Sequence, residues 1–332
     1  MSNRKWNLSI VILFVIFATL MLSFLFSVLH IQELIQPLKS MLKNESVTRH
    51  VVLISQELDN AYWRSIEKGA REASQKYGIT LDYIGPFRIN PNEQMILLEK
   101  AIASKADAVL IQGINDPIYR SFIDKAMDQD IPVITLDTDE PGSRRLSYVG
   151  TDNFEAGIRM GNLVVEAVGT QAGHIGVLMG NEMSFNQQQR LQGLRSVVDQ
   201  YKDLTIVEVR SSNISRLFAA EQAEEILINH PEVRYMVGLS SLDGLGILEA
   251  TQRVQLQDIH IFAFDDLDET KEAITQCQIE STIVQQPNRM GYDAISLIHE
   301  YFQGNILQQQ QFTAITVLDQ IKSGVKDGAG CP

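Results

Sequence analysis

The chain has 332 residues, 45% of them hydrophobic, and carries 41 acidic against 28 basic side chains for a formal net charge of −13. That length and apolar fraction suit one large or two medium domains with a sizeable core. The acidic balance offers no basic stripe to phosphates and excludes nucleic acid as a partner, and the two cysteines, Cys277 and Cys331, have no CxxC spacing for a zinc site.

Residues 8–29, LSIVILFVIFATLMLSFLFSVL, contain no charge, glycine or proline. A run of this length crosses a bilayer as a helix. Arg4 and Lys5 precede it, which predicts a cytoplasmic N-terminus and an extracytoplasmic remainder. It is longer than the ~7–15 residues of a signal-peptide core and no A-x-A site follows. An uncleaved, single-pass transmembrane signal anchor over residues 1–30 is therefore preferred to a cleaved signal peptide. Residues 31–49 read as a juxtamembrane stalk, amphipathic at first and broken near Pro37.

From residue 50 onward short apolar runs alternate with helical periodicity. VVLIS at 51–55 predicts a strand. A helix follows over 62–77, with Ile66, Ala70, Ala73 and Tyr77 on one face and Gly78 as its stop. ITLDYI at 79–84 alternates as a strand, and Asn90 with Pro91 opens the next helix. ADAVLIQ is a strand, Asp116 and Pro117 start a helix, and IPVITLD at 131–137 is a fourth strand. After LSYVGTDN a helix is predicted over 153–168. Strands at 174–180, 204–210, 233–239 and 259–265 follow, separated by helices. A strand at 281–286, a helix over 287–302, a strand at 312–318 and a loose tail at 320–332 complete the chain. Cys277 and Cys331 read as one half-buried thiol and one thiol in that tail, with a disulfide between them as the alternative outside the cell.

About ten nearly continuous apolar strands alternating with helices predict an α/β fold of two doubly wound parallel sheets in two lobes. A ligand would lie in the crevice at the carboxyl ends of the strands. Those ends carry Asn60, Tyr62 and Trp63; Asp137 and Thr138; Asn186, Gln188 and Arg190; Ser240 and Ser241; Asp265 and Asp266; and Gln285. Carboxylates accept hydroxyl protons strongly, amides offer a donor and an acceptor group, and rings cover apolar C–H faces. That mixture suits a sugar or polyol. An Asp after a strand also serves as a helix N-cap, a role open to Asp152 and Asp266. No nucleophile, metal motif or matching base accompanies the acids, so no enzymatic activity is expected. No G-x-G-x-x-G or P-loop occurs, and no cofactor is expected.

Six segments in order carry a family resemblance: DNAYWRSIEKGAREA, IPVITLDTD, YVGTDNFEAGIRMG, QRLQGLRSVV, FAFDDLDET and TIVQQPNRMGYDA. From about residue 50 to 319 the chain resembles the type I periplasmic sugar-binding proteins, in their ribose-binding branch, whose fold is shared with the ligand domains of LacI-type repressors. The resemblance implies ligand positions at Asn60, Tyr62, Trp63, Asp137, Gln188, Ser240, Asp265 and Gln285, with Arg190 preceding Gly193 and an aromatic position falling near Ile214. Thr138 stands where ribose binders commonly place Arg, Gln188 where they place a second Arg, and Ser240 where they place Asn. The resemblance thus points to a small hydroxylated ligand without fixing ribose.

It also implies an N-terminal lobe of residues 50–151 plus 286–312, a C-terminal lobe of 152–285 plus 313–319, and three crossings that act as a hinge. The partners it implies are the membrane subunits of an ABC importer or, as the alternative, a membrane signalling protein such as a sensor histidine kinase. A repressor of this fold would carry a helix-turn-helix where residues 8–29 stand.

Overall fold

The computed structural model describes residues 15–27, 29–31, 48–169 and 171–319. The chain divides into two units, residues 1–49 and 50–332. In the first, residues 15–27 and 29–31 are helical, and their large apolar side chains, Phe17, Phe24 and Phe26 among them, are exposed. Among the described residues no helix is long and apolar enough to cross a membrane. Much of the predicted anchor, nearly all of the stalk and the tail at 320–332 lie outside the described residues.

The second unit is built on two six-stranded sheets. The N-terminal sheet holds β1 (His50–Ile54), β2 (Thr80–Ile84), β3 (Ala108–Ile111), β4 (Val133–Leu136), β5 (Ser147–Thr151) and β11 (Gln310–Thr313), in the order β2-β1-β3-β4-β5-β11. The C-terminal sheet holds β6 (Gly173–Met179), β7 (Leu204–Ser211), β8 (Tyr235–Gly238), β9 (His260–Phe264), β10 (Ser281–Val284) and β12 (Thr316–Asp319), in the order β7-β6-β8-β9-β10-β12. All pairings are parallel except β10 with β12. The chain passes between the sheets after β5, after β10 and between β11 and β12. The predicted strand at 312–318 is therefore two short strands, one per sheet, and β5 is a strand that apolar periodicity did not single out.

Helices cover both faces of each sheet, which explains the continuous apolar strands. On the N-terminal sheet, α1 (Ala61–Tyr77) and α9 (Pro287–Phe302) bury Ile66, Met290 and Ile298 against Val51, Leu53 and Leu110. On its other face α2 (Pro91–Ala103) and α3 (Pro117–Asp128) bury Leu98, Ile102 and Ile123 against Val52, Ile54 and Val109. Alternate residues of β1 thus serve opposite cores. In the C-terminal lobe α4 (Asn153–Val168) and α5 (Phe185–Val198) cover one face; α6 (Arg216–Asn229), α7 (Asp243–Arg253) and α8 (Asp268–Thr275) cover the other.

The local signals act as their chemistry dictates. Asn90 and Asp116 accept helix N–H bonds as N-caps, and Gly78 ends α1 with φ 67°. Asp152 caps α4, accepting from the Glu155 N–H at 3.0 Å. Helices α4 and α5 cross closely at Gly157 and Gly193, where a Cβ would meet the Arg190 and Phe154 carbonyl oxygens at 2.1 Å. That crossing seats the stretch of α5 that carries Arg190. Cys277 is exposed and disulfide-bonded, which supports the disulfide alternative in place of the half-buried thiol.

Candidate functional site

The loops at the carboxyl ends of both sheets bound one cavity. The N-terminal lobe contributes Gln56, Asn60, Tyr62, Trp63, Gln112, Asp137 and Thr138. The C-terminal lobe contributes Ser184, Asn186, Gln187, Arg190, Ile214, Ser240, Ser241 and Asp265, and Gln285 joins them from the second crossing. The space open to the centres of water-sized molecules is about 80 Å³, room for roughly five to eight waters at ~10–15 Å³ each. One small ligand fits that volume.

On the N-terminal side the arrangement starts from a helix cap. Asn60 Oδ1 accepts the Tyr62 N–H at 3.0 Å and its Nδ2 donates to Glu57 Oε2 at 3.2 Å. The capped first turn of α1 sends two rings into the cleft, Tyr62 and Trp63, edge to face with centroids 6.4 Å apart. Trp63, only 2% exposed, is shared between cavity and core. Tyr62 Oη donates to Asp137 Oδ1 at 2.8 Å. Asp137 Oδ2 accepts from Gln112 Nε2 at 2.8 Å and from Thr138 Oγ1 at 3.2 Å. Burial, then the charges of Asp137 and Asp265, push the Tyr62 hydroxyl well above its ordinary pKa, so it stays a donor.

On the C-terminal side Arg190 is 2% exposed. Its Nε donates to Asn153 Oδ1 at 2.8 Å, Nη1 to the Leu239 carbonyl at 2.8 Å and Nη2 to Gln285 Oε1 at 3.1 Å. Its guanidinium lies over the Phe264 ring, 3.7 Å from the centroid. Gln285 Oε1 also accepts from Thr151 Oγ1 at 2.7 Å, and its Nε2 donates to Asp265 Oδ1 at 2.9 Å. Burial pushes the Asp265 carboxyl up to about 6; Arg190 and the Gln285 amide pull it down, and Asp137 pushes it up.

Gln112, which lines the cavity, has its Oε1 buried without a hydrogen-bond partner among the described residues. A buried polar atom without a bond is costly. Gln112 and Ser240 line the cavity from opposite lobes. Among the described residues no cluster of His, Cys, Asp and Glu could hold a metal ion.

The cavity gathers eleven of the strand-end positions named from the sequence, Asn60, Tyr62, Trp63, Asp137, Thr138, Asn186, Arg190, Ser240, Ser241, Asp265 and Gln285, together with Ile214. Gln188 is a correction. Asn186, Gln187 and Arg190 share the buried face of α5, whereas Gln188 is exposed and donates through Nε2 to the Glu182 carbonyl at 2.8 Å. The strand-end reading passed over Gln56, Gln112, Ser184 and Gln187. Gln112 was within reach, since it closes the predicted third strand.

The sequence matches the Periplasmic binding protein domain over residues 51–306. It is 22% identical to the ribose import binding protein RbsB of Escherichia coli (strain K12) over 258 residues, 78% of this chain and 86% of that protein. The fold is similar to GanP, a glucose-galactose binding protein from Geobacillus stearothermophilus, with TM-score 0.81 and 36% identity over 84% of this chain and 99% of that one. It is also similar to a chain of the XylFII-LytSN complex, with TM-score 0.76 and 30% identity over 83% of this chain and 99% of that one. With its two-lobed architecture and a family match covering most of its length, the chain belongs to the periplasmic binding protein family.

Proposed function

We propose that this protein binds a monosaccharide or small polyol between its lobes, outside the cytoplasm, and delivers it to an ABC importer without chemical conversion. The observation that carries this reading is the meeting of acids, amides and rings from both lobes in one small cavity. Ligand hydroxyls donate to Asp137 and Asp265, Gln112, Ser240 and Gln285 take the remaining polar groups, and Tyr62 with Trp63 covers an apolar ring face. Asn60 orients those rings, Thr138 holds Asp137, and Arg190 positions Gln285, which donates to Asp265. A ligand that touches both lobes favours the closed form, and the three crossings supply the hinge. A micromolar Kd corresponds to roughly −8 kcal/mol, within reach of a few desolvated charge-assisted bonds and one ring contact.

The run at residues 8–29 supports a single-pass anchor with a cytoplasmic N-terminus, and the disulfide at Cys277 supports an oxidising compartment for the binding unit. An anchored binder keeps its ligand near one membrane partner. The second reading is sensing, in which closure is reported to a membrane signalling protein such as a sensor histidine kinase. The likeness to XylFII, solved in complex with LytSN, favours keeping it.

Thermal-shift screening against D-ribose, L-arabinose, D-xylose, D-glucose, D-galactose and galactitol tests the binding reading, because a ligand of the native state raises its stability by mass action. At least one compound is expected to raise Tm; turnover of a sugar, or no shift across hydroxylated ligands, contradicts it. Fractionation of the tagged full chain tests the anchor, with release into the medium at reduced mass as the contrary result.

A further inference from the structure

Asn115, in the loop between β3 and α3, has a left-handed backbone with φ 55°. Its N–H and that of Ile114 donate to Glu140 Oε2 at 2.6 and 3.0 Å. Glu140 is fully buried, and its Oε1 accepts from Arg120 Nε at 2.6 Å. Arg120 Nη2 in turn donates to Asn115 Oδ1 at 2.7 Å. With its oxygen held this way, the Asn115 amide has its nitrogen free to reach out of the N-terminal lobe. Nδ2 donates to the Met183 carbonyl, in the C-terminal lobe, at 3.0 Å.

The receiving turn, between β6 and α5, is fixed as well. The Met183 N–H donates to Asn181 Oδ1 at 2.8 Å and the Ser184 N–H to the Asn181 carbonyl at 3.2 Å. Gln188 Nε2 donates to the neighbouring Glu182 carbonyl at 2.8 Å. The Asn115–Met183 bond therefore joins two preorganised loops, and β3 lies two strands from β5, where the chain first crosses. The same turn leads directly into Ser184, Asn186 and Gln187 of the cavity wall.

We propose that Asn115 is a clasp holding the lobes closed over the cavity, and that Gln188 is a positioning residue for the turn that receives it. This rests on the reading that the lobes open and close around the cavity. The clasp lies outside the cavity and touches no ligand; it sets how much of the protein is closed and how slowly a bound ligand leaves. One such hydrogen bond moves the open-to-closed ratio by about two- to tenfold.

Pulsed dipolar distances in the full chain test this, with spin labels at Phe87→Cys, shortly after β2, and Leu217→Cys, in the first turn of α6, exposed positions on opposite lobes. Asn115→Gly keeps the left-handed backbone and removes the amide. It is expected to raise the open-to-closed ratio of the sugar-free protein about two- to tenfold. Asn115→Asp keeps the shape but sets an acceptor against a carbonyl, and is expected to open the lobes further. Gln188→Ala is expected to act in the same direction, less strongly. Variants that melt earlier yet keep the parent ratio, or that change nothing, overturn the clasp and leave ligand binding standing. A single distance in the parent, moved by neither the variants nor saturating D-galactose, D-glucose or D-ribose, overturns both.

Discussion

Asp137 and Asp265 occupy equivalent positions in the two lobes: each follows the fourth strand of its half, and each has a left-handed backbone, with φ 61° and 65°. The backbone N–H of each donates to the neighbouring strand, Asp137 to Val149 O at 3.1 Å and Asp265 to Ile283 O at 2.7 Å. A non-glycine residue rarely adopts this conformation, and Asp tolerates it better than most. The turn away from the strand aims each carboxylate into the shared cavity. One fold element, used twice, thus supplies the strongest acceptor on each wall.

The two acids differ in their surroundings, and the difference has a pH signature. Asp137 takes three donors from Tyr62, Gln112 and Thr138, whereas Asp265 has the Gln285 amide and a pKa of about 6. Ligand hydroxyls donate to the ionised form, so affinity should rise with pH, by about tenfold from pH 5 to pH 7. Stability of the empty protein runs the other way. The native state holds the Asp265 proton between about pH 4 and 6 where the unfolded chain has lost it, so this group's contribution falls as pH rises through 6. Calorimetric titrations at the two pH values should show the affinity slope, and Asp265→Asn should flatten it.

Arg190 is expected to act on stability first. All three of its nitrogens donate to protein oxygens and its plane is stacked on Phe264. Arg190→Met should leave those acceptors unpaired and lower stability by about 3 kcal/mol, or roughly 6–12 °C in Tm. A variant with unchanged melting and only weakened binding would assign Arg190 to the ligand instead.

Charge selectivity follows from the same arrangement. The cavity presents two carboxylates and one guanidinium whose nitrogens are already engaged. An anionic ligand meets repulsion without a compensating free cation. D-galacturonate should therefore bind at least tenfold more weakly than D-galactose if the latter is a ligand. Equal affinity would mean that the acids do not face the bound molecule.

Much of this site was legible because its parts are local. Asn60, Asp137, Asp265 and Gln285 each follow an apolar strand, and that position alone places a side chain at the mouth of a parallel sheet. What escaped depended on phase or on partners distant in sequence. Gln187 and Gln188 differ by about 100° around α5, a rotation that a run of three glutamines cannot register. β5 reads SYVGT, too polar and too short for apolar periodicity, and becomes a buried strand because β4, β11 and α9 surround it. The last apolar run looked continuous although the chain leaves one sheet after Thr313 and joins the other at Thr316.

The most direct test is isothermal titration of the sugar giving the largest thermal shift into the parent, Asp137→Ala and Asp265→Ala. The loss of one charged acceptor corresponds to about 1.5–3 kcal/mol, so each variant should bind at least tenfold more weakly while remaining folded. Parent-like affinity in both folded variants would contradict a ligand held between the two acids.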